Sequence, residues 1–377
     1  MNFLLVLEWL IKGFVWAMVL LGGFAYLTLY ERKALARIQS RIGPNRAGPW
    51  GILQPIADAV KLIFKEELTP AKADKLIFTL APVITVVPAV VITAVVPWGP
   101  SFNIFGYHLN LYIADINVGV LYIMSVASIA VYGIVLAGWS SNNKYAMMGG
   151  LRSSAQMISY EIALGLSFVS AILLANSMRM LDIVNAQSGY WFHFIPKWFV
   201  VLQPVGTAIF LIATLAEVNR APFDMPEAEQ ELTAGYHTEY SGMKFALLFM
   251  AEYTKMIAIS AIGATLFFGG YNGPFVDKFP WLGPIYIFVK IIILLFGMIW
   301  VRATFPRILY DRLMAFGWKV LLPLSLALVF ITAVGIILAQ QVNPHLIIII
   351  PVVSLLVAGV AVALVDRTLR RKDYARR

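Results

Sequence analysis

Long apolar runs close to bilayer length, separated by short polar segments, set the pattern of this chain. Uncharged runs occupy residues 13–30, 76–98, 116–139, 198–216, 320–339 and 346–365. Three more hold one or two charges: 155–175 with Glu161, 245–268 with Glu252 and Lys255, and 281–301 with Lys290. A helix needs roughly 20 apolar residues to cross the hydrocarbon core. All of these runs reach or approach that length, the first and the fifth being the shortest. Pro82, Pro88, Pro204, Pro284, Pro323 and Pro351 fall inside runs. Membrane helices tolerate them because neighbours satisfy the freed backbone groups. The pattern therefore predicts an all-α polytopic bundle of about nine transmembrane helices. No internal repeat or low-complexity segment divides it. It reads as one membrane domain over residues 1–377, with a basic loop at 31–75, an acidic loop at 217–244 and a C-terminal extension at 341–377 carrying the last run.

One polar segment has its own periodicity. In Ile52–Leu68, Ile52, Ile56, Ala59 and Ile63 share a face widened by Val60 and Phe64, while Asp58, Lys61 and Lys65 line another. That is an amphipathic helix, too short and too charged to span, expected to lie in the interface. Two readings stay open for it. It is a surface anchor, or it roofs a lipid-accessible cavity whose polar head group meets Asp58 and Lys61. A Gly/Pro-rich turn, Gly43–Pro49, links it to the first run.

Composition and charge then fix the class and the orientation. The chain is 60% hydrophobic and only 13% charged, where a soluble domain carries about a quarter charged residues. The net charge of +9 is not read as a nucleic-acid surface. With alternating spans, 23 of the 29 Lys and Arg residues fall in the segments on one side. The positive-inside rule then places the amino terminus outside and the carboxy terminus inside. The first apolar run continues to Tyr30 without a small-residue cleavage site, so it is read as a retained helix rather than a signal peptide.

Candidate chemistry concentrates in acids. Residues 217–244 carry Glu217, Asp224, Glu227, Glu229, Glu231 and Glu239 among apolar and aromatic side chains, abutting spans at both ends. Crowded, partly buried carboxylates raise one another's proton affinity and suit proton uptake and release. A solvated acidic loop is the plainer alternative. Glu161 and Glu252 lie inside spans, where an acid faces a bundle interior or a wet cavity. Lys255, three residues after Glu252, offers it a local ion pair. Glu161 has no such neighbour, and Lys290 has no obvious partner. The chain has no cysteine, which removes thiolate-held iron–sulfur clusters and Cys-based zinc sites. The four histidines fall in predicted loops and are not paired on facing spans, so bis-histidine haem is not expected. No dinucleotide, P-loop or zinc-protease motif occurs.

Several long motifs resemble one family. They are RIGPNRAGPWGILQPIADAVKLIFKEEL at 41–68, MISYEIALG at 157–165 and AEVNRAPFDMPEAEQELTAGYHTEYSGMKFA at 216–246. MAEYTKM at 250–256, RATFPRILYD at 302–311 and FGWKVLLPL at 316–324 agree with it. Together, over about residues 1–340, they resemble the family of the membrane-embedded H subunit (chain 1) of proton-translocating NADH–quinone oxidoreductase, respiratory complex I. The resemblance implies a multi-pass subunit of an energy-converting membrane, such as a prokaryotic inner membrane, that helps form a quinone chamber. Quinone, such as ubiquinone, is then a substrate. NADH, FMN and iron–sulfur clusters are expected in partner subunits, not in this chain. Implied partners are hydrophilic-arm quinone-site subunits, other small membrane subunits, antiporter-like subunits and lipid, with no nucleic acid. By motif, Arg32, Arg41 and Asp58 match charged positions near quinone entry, and Arg302 and Arg307 match basic positions close to it. Glu161, Glu217, Glu227, Glu229, Glu231 and Glu252 match an acidic chain leading into the membrane arm. Two departures stand out. Val218 replaces a threonine found in many members, and 346–365 adds a ninth span to the usual eight. A related subunit of a membrane-bound hydrogenase or other dehydrogenase is the nearest alternative. A secondary transporter would show inverted repeats, and none is seen.

Overall fold

The structure is a computed structural model and describes residues 3–104, 107–191, 195–225, 234–276 and 278–376. Among the described residues, eight helices are long and apolar enough to cross a membrane, and a shorter apolar helix, Pro204–Glu217, accompanies them. The chain is an integral membrane protein with an all-α bundle.

Helix α1 covers Phe3–Ile38. The apolar run ends near Tyr30, but the helix does not, because Glu31–Arg37 is a run of good helix formers. The first run, among the shortest spans by hydropathy, thus belongs to one of the longest helices. The link that follows turns sharply. Gly51 has φ +76, and a Cβ there would sit 2.4 Å from the Pro44 carbonyl oxygen, so only glycine fits. Helix α2, Gln54–Phe64, is the amphipathic element, slightly shorter than Ile52–Leu68.

Helix α3, Lys75–Val91, starts where the Asp74 carboxylate accepts from the Leu76 and Ile77 amides. A small hairpin (β1 Phe102–Ile104, β2 Tyr107–Leu109) leads to α4, Gly119–Ser140, and α5, Lys144–Ala175. Asn143 caps α5, and Asn176 ends it in the left-handed conformation. Then come α6 (Met180–Ala186), a second hairpin (β3 Tyr190–Trp191, β4 Ile195–Pro196), α7 (Phe199–Leu202) and α8 (Pro204–Glu217). The fifth apolar run is broken between α7 and α8 because Pro204 has no amide to continue the ladder and suits a first helical position. Gln203 at the break is buried and donates to Thr332 Oγ1 at 2.7 Å.

The chain closes with α9 (Gly242–Phe267), α10 (Leu282–Thr304), α11 (Tyr310–Phe316), α12 (Leu322–Gln341) and α13 (Ile349–Arg376). A π-turn at Gly317–Leu321 joins α11 to α12. Helix α3 packs on α4 and α9, and α5 packs on α4, α8 and α12. Helix α1 lies against α9 and α10, while α13 covers α12 and α8.

Two sets of loops hold the ends of the bundle. On one side Asp74 N donates to Ser140 O, Leu68 N to Ser241 Oγ, and Ile308 N to Pro222 O. On the other, Val120 N donates to Met178 O, and Gln187 Nε2 donates to the Thr265 and Leu266 carbonyls. The first set includes the basic and acidic loops and is called the loop side below.

Candidate functional site

The candidate site begins at the loop-side end of α1. Glu31 is buried, and its Oε1 accepts from Arg220 Nη1 at 3.2 Å and from Arg302 Nη1. The Arg220 guanidinium lies 4.2 Å from the Tyr253 ring centroid. Burial opposes the charge of Arg220, but Tyr253, Glu31 and Glu252 outweigh it, so its guanidinium is held more firmly protonated than usual. One carboxylate from α1, one arginine from the acidic loop and one from α10 thus form a charge cluster among apolar helices. Buried charges persist only when paired.

A second pair lies beside it. Asp224 is buried and accepts from Arg307 Nη2 at 3.0 Å. Further out, Arg32 Nη1 donates to Asp58 Oδ2 at 2.7 Å, and Gln54 Nε2 donates to Asp58 Oδ1 at 3.0 Å. This ties α2 to α1. Arg41 and Arg32 line an open cavity of about 510 Å³ with Gly43 and Pro44. Lys61 lies on the exposed side of α2. The six basic and acidic residues singled out from sequence around the first loop and α10 therefore fall into two groups. Arg302 and Arg307 join buried carboxylates, while Arg32, Arg41, Asp58 and Lys61 stay near the surface.

The acids of the predicted chain are drawn together from three elements. Glu217 ends α8, where Asn219 turns the backbone left-handed at φ 54. Glu217 and Glu252 are both buried and line one cavity of about 30 Å³ with Lys255, Asn219 and Tyr236. That volume holds one or two water molecules. Glu161 on α5 is half-buried, accepts from the Ser128 hydroxyl, and acts electrostatically on Glu217. Glu227, Glu229 and Glu231 lie outside the described residues.

One expected contact is corrected. Lys255 does not pair with Glu252, its neighbour in the helix. Its Nζ meets Glu217 Oε1 at 2.7 Å. Glu252 instead accepts from Tyr236 Oη at 3.1 Å and faces His237 Nε2 at 3.4 Å. Tyr236 and His237 sit on a 3₁₀ turn, Gly235–His237, that packs into the bundle. A Cβ on Gly149 of α5 would lie 2.5 Å from Gly235 Cα. The turn therefore seats directly on the α5 backbone. His237, a loop residue by sequence, is buried against an intramembrane acid.

The acidic loop is anchored at its far end by Tyr240. Its ring stacks on Phe78 with centroids 4.1 Å apart, and its hydroxyl donates to the Phe78 carbonyl at 3.2 Å. Burial pushes the Tyr240 phenol up to about 12, against a smaller opposing effect of the Ser140 hydroxyl. Glu239 accepts from Asn143 Nδ2 at 2.7 Å. Lys290, without an evident partner in sequence, donates to the Gly270 and Asn272 carbonyls at 2.7 Å each, on the opposite side.

Glu31, Arg220, Tyr236 and His237 are the site residues that sequence reasoning does not single out. Glu31 and Arg220 are visible as charges beside or within the named loops. Their pairing across 189 residues is not.

An apolar groove of about 680 Å³ runs between α1 and α10, with Ile257 of α9 also lining it. Trp16 and Trp98 stand at one end, and Tyr30 and Leu295 at the other. Tyr30 immediately precedes Glu31. The groove thus runs from the opposite side to the edge of the charge cluster.

Comparison with known proteins matches residues 11–333 to the NADH dehydrogenase family model. The chain belongs to the NADH dehydrogenase family. It is 50% identical over 325 residues to the H subunit of the NADH-quinone oxidoreductase of Thermomicrobium roseum, covering 85% of this chain and 94% of that protein. It is 49% identical over 314 residues to an NADH-quinone oxidoreductase H subunit of Syntrophobacter fumaroxidans, covering 83% of this chain and 91% of that protein. An H subunit of the same kind from Cytophaga hutchinsonii is 46% identical over 320 residues, covering 83% of this chain and 92% of that protein. The family match ends before α13, so this C-terminal span lies outside it.

Proposed function

We propose that this chain is the membrane subunit of an NADH–quinone oxidoreductase that borders the quinone chamber and couples quinone reduction to proton translocation. The observation that carries this reading is the junction of two charge systems. The Glu31–Arg220–Arg302 cluster lies beside the end of an apolar groove, and Arg220 also acts electrostatically on Glu252 of the acid chain. The chain itself performs no covalent step. Electrons arrive from an iron–sulfur centre in a neighbouring protein of the complex.

The apolar tail of a quinone enters laterally from the bilayer beside α1, with α2 and its Asp58/Lys61 edge at the loop-side mouth. Arg32, Arg41, Arg302 and Arg307 set the positive field met by the head group. Reduction adds negative charge there and draws protons. A carboxylate–arginine cluster in a low-dielectric site responds strongly to such a change. The response passes through Arg220 to Glu252 and Glu217, then to Glu161, toward antiporter-like subunits. Glu227, Glu229 and Glu231 extend the same chain. The loop side is the inside, with hydrophilic-arm subunits docked on it, the amino terminus outside and the carboxy terminus inside, as the distribution of Lys and Arg supports.

The test is purification of the tagged chain in gentle detergent, with assay of NADH-dependent quinone reduction. The expected result is recovery with iron–sulfur and antiporter-like subunits and an activity that needs quinone. Recovery alone, or with hydrogenase-type partners and no quinone activity, overturns the reading.

A further inference from the structure

Lys255 is a cation set in the middle of an acidic chain. Glu252, one turn earlier on α9, is its neighbour by sequence, with Cβ atoms about 5–6 Å apart at this spacing. Its ammonium reaches instead across to Glu217 at the end of α8, at 2.7 Å. Glu252 is meanwhile held by Tyr236 and faced by His237. All three charged groups are buried and line the same cavity of about 30 Å³. Glu217 Oε2 is buried and has no hydrogen-bond donor among the described residues.

An ion pair of this kind has two arrangements available. A buried carboxylate and ammonium hold each other only while both are charged. When Glu217 takes up a proton, Lys255 loses its anion. The nearest remaining carboxylate on its own helix is Glu252. The lysine stem is long and freely rotatable, and the cavity lies between the two acids. The other charges facing the trio are Glu161 from α5, beside Glu217, and Arg220 and His237 from the acidic loop, beside Glu252.

We propose that Lys255 is an ion-pair switch, bound to Glu217 in the state described here and passing to Glu252 when Glu217 is protonated. Lys255 stays an ammonium throughout. One proton from solvent adds to Glu217, the trio goes from one net negative charge to neutral, and no bond other than that O–H forms. The positive charge then moves away from Glu217 as the proton arrives. Lys255 acts as a positioning residue for the coupling acids. The inference rests on the reading that Glu217 and Glu252 belong to the coupling chain.

The experiment uses the intact complex, with infrared difference spectra of its carboxyl groups on reduction by NADH and with protons counted per electron. In the natural protein, reduction gives a protonated-carboxyl signal that Glu217→Gln removes. In Lys255→Met the Glu217 carboxyl lacks its ammonium and is protonated before reduction, so the reduction-induced signal is lost and protons per electron fall. Lys255→Arg restores the signal. A Lys255→Met complex that keeps both the signal and the natural proton count overturns the switch. Normal pumping by Glu217→Gln would instead overturn the coupling-chain reading on which it rests. Should Lys255→Met fail to assemble, Glu252→Gln decides the matter. With the second acceptor gone, the Glu217 signal is lost, and its persistence overturns the switch.

Discussion

The loop-side half of the bundle and the opposite half bury polar groups in different ways. On the opposite side, Gln187 is fully engaged. Its amide donates to the Ile183, Thr265 and Leu266 carbonyls, and its oxygen accepts from the Phe199 and Gly269 amides. Beside it Phe168, Phe210 and Phe267 pack ring to ring, with centroids 5.9 and 5.2 Å apart. On the loop side, Glu31, Arg220, Asp224, Glu217, Lys255 and Glu252 are buried, each against a charged or polar partner, and Glu31 Oε2, Glu217 Oε2 and His237 Nδ1 have no partner among the described residues. A satisfied polar network rigidifies, while a partly satisfied one is costly and is poised to change. Gln203 Oε1 on the opposite side also lacks a partner among the described residues, so the difference is one of charge. The opposite side leaves a neutral amide oxygen unsatisfied, while the loop side leaves ionisable groups partly satisfied and able to respond.

That contrast is broken most severely at Glu31. Glu31→Ala leaves Arg220 and Arg302 without their shared carboxylate, at a cost of about 3–5 kcal/mol. The expected outcome is loss of assembled complex, read by native gel, and loss of NADH-dependent quinone reduction. Phe210→Ala opens a cavity in the opposite half and costs about 3 kcal/mol. It should lower the melting temperature of the complex while leaving protons per electron unchanged. A change in that ratio would show that the aromatic cluster belongs to the coupling machinery.

Asp58→Asn acts at the surface. The Arg32–Asp58 pair is partly exposed, so its loss costs at most about 1 kcal/mol of stability. The expected effect is a several-fold rise in KM for quinone with little change in kcat. The smallest effect is expected from Tyr240→Phe, which keeps the stack on Phe78 and removes one hydrogen bond worth about 1 kcal/mol. The raised phenol adds a pH dependence. The neutral hydroxyl favours the folded loop below the ordinary value of 10.0, and this advantage is lost as pH rises toward about 12. The stability gap between natural and Tyr240→Phe complexes, followed by thermal melts against pH, should therefore narrow over that range.

Much of this architecture is legible in the sequence, and the illegible parts share a cause. Apolar runs mark the spans, and the period of Ile56, Val60 and Ile63 marks the amphipathic helix. The extent of α1 is not legible, because hydropathy marks where a helix leaves the apolar phase, not where its hydrogen bonds stop. Glu217 and Glu252 stand out because an acid in an apolar run is costly. Their partners do not. The helical spacing rule points Lys255 to Glu252, but the bundle supplies a better-placed carboxylate 38 residues away. Glu31 meets Arg302 across 271 residues. Such pairings are products of packing and leave no local trace. His237 reads as a loop residue because the seating of its 3₁₀ turn on Gly149 depends on a contact between distant segments.

On the proposed reading, the buried acids transmit the energy of quinone reduction. The most direct test of that reading is Glu161→Gln in the complex reconstituted into liposomes, with quinone reduction and proton movement recorded together. The expected result is an assembled complex with slower turnover and fewer protons moved per electron. Proton pumping at the natural ratio and rate would contradict it.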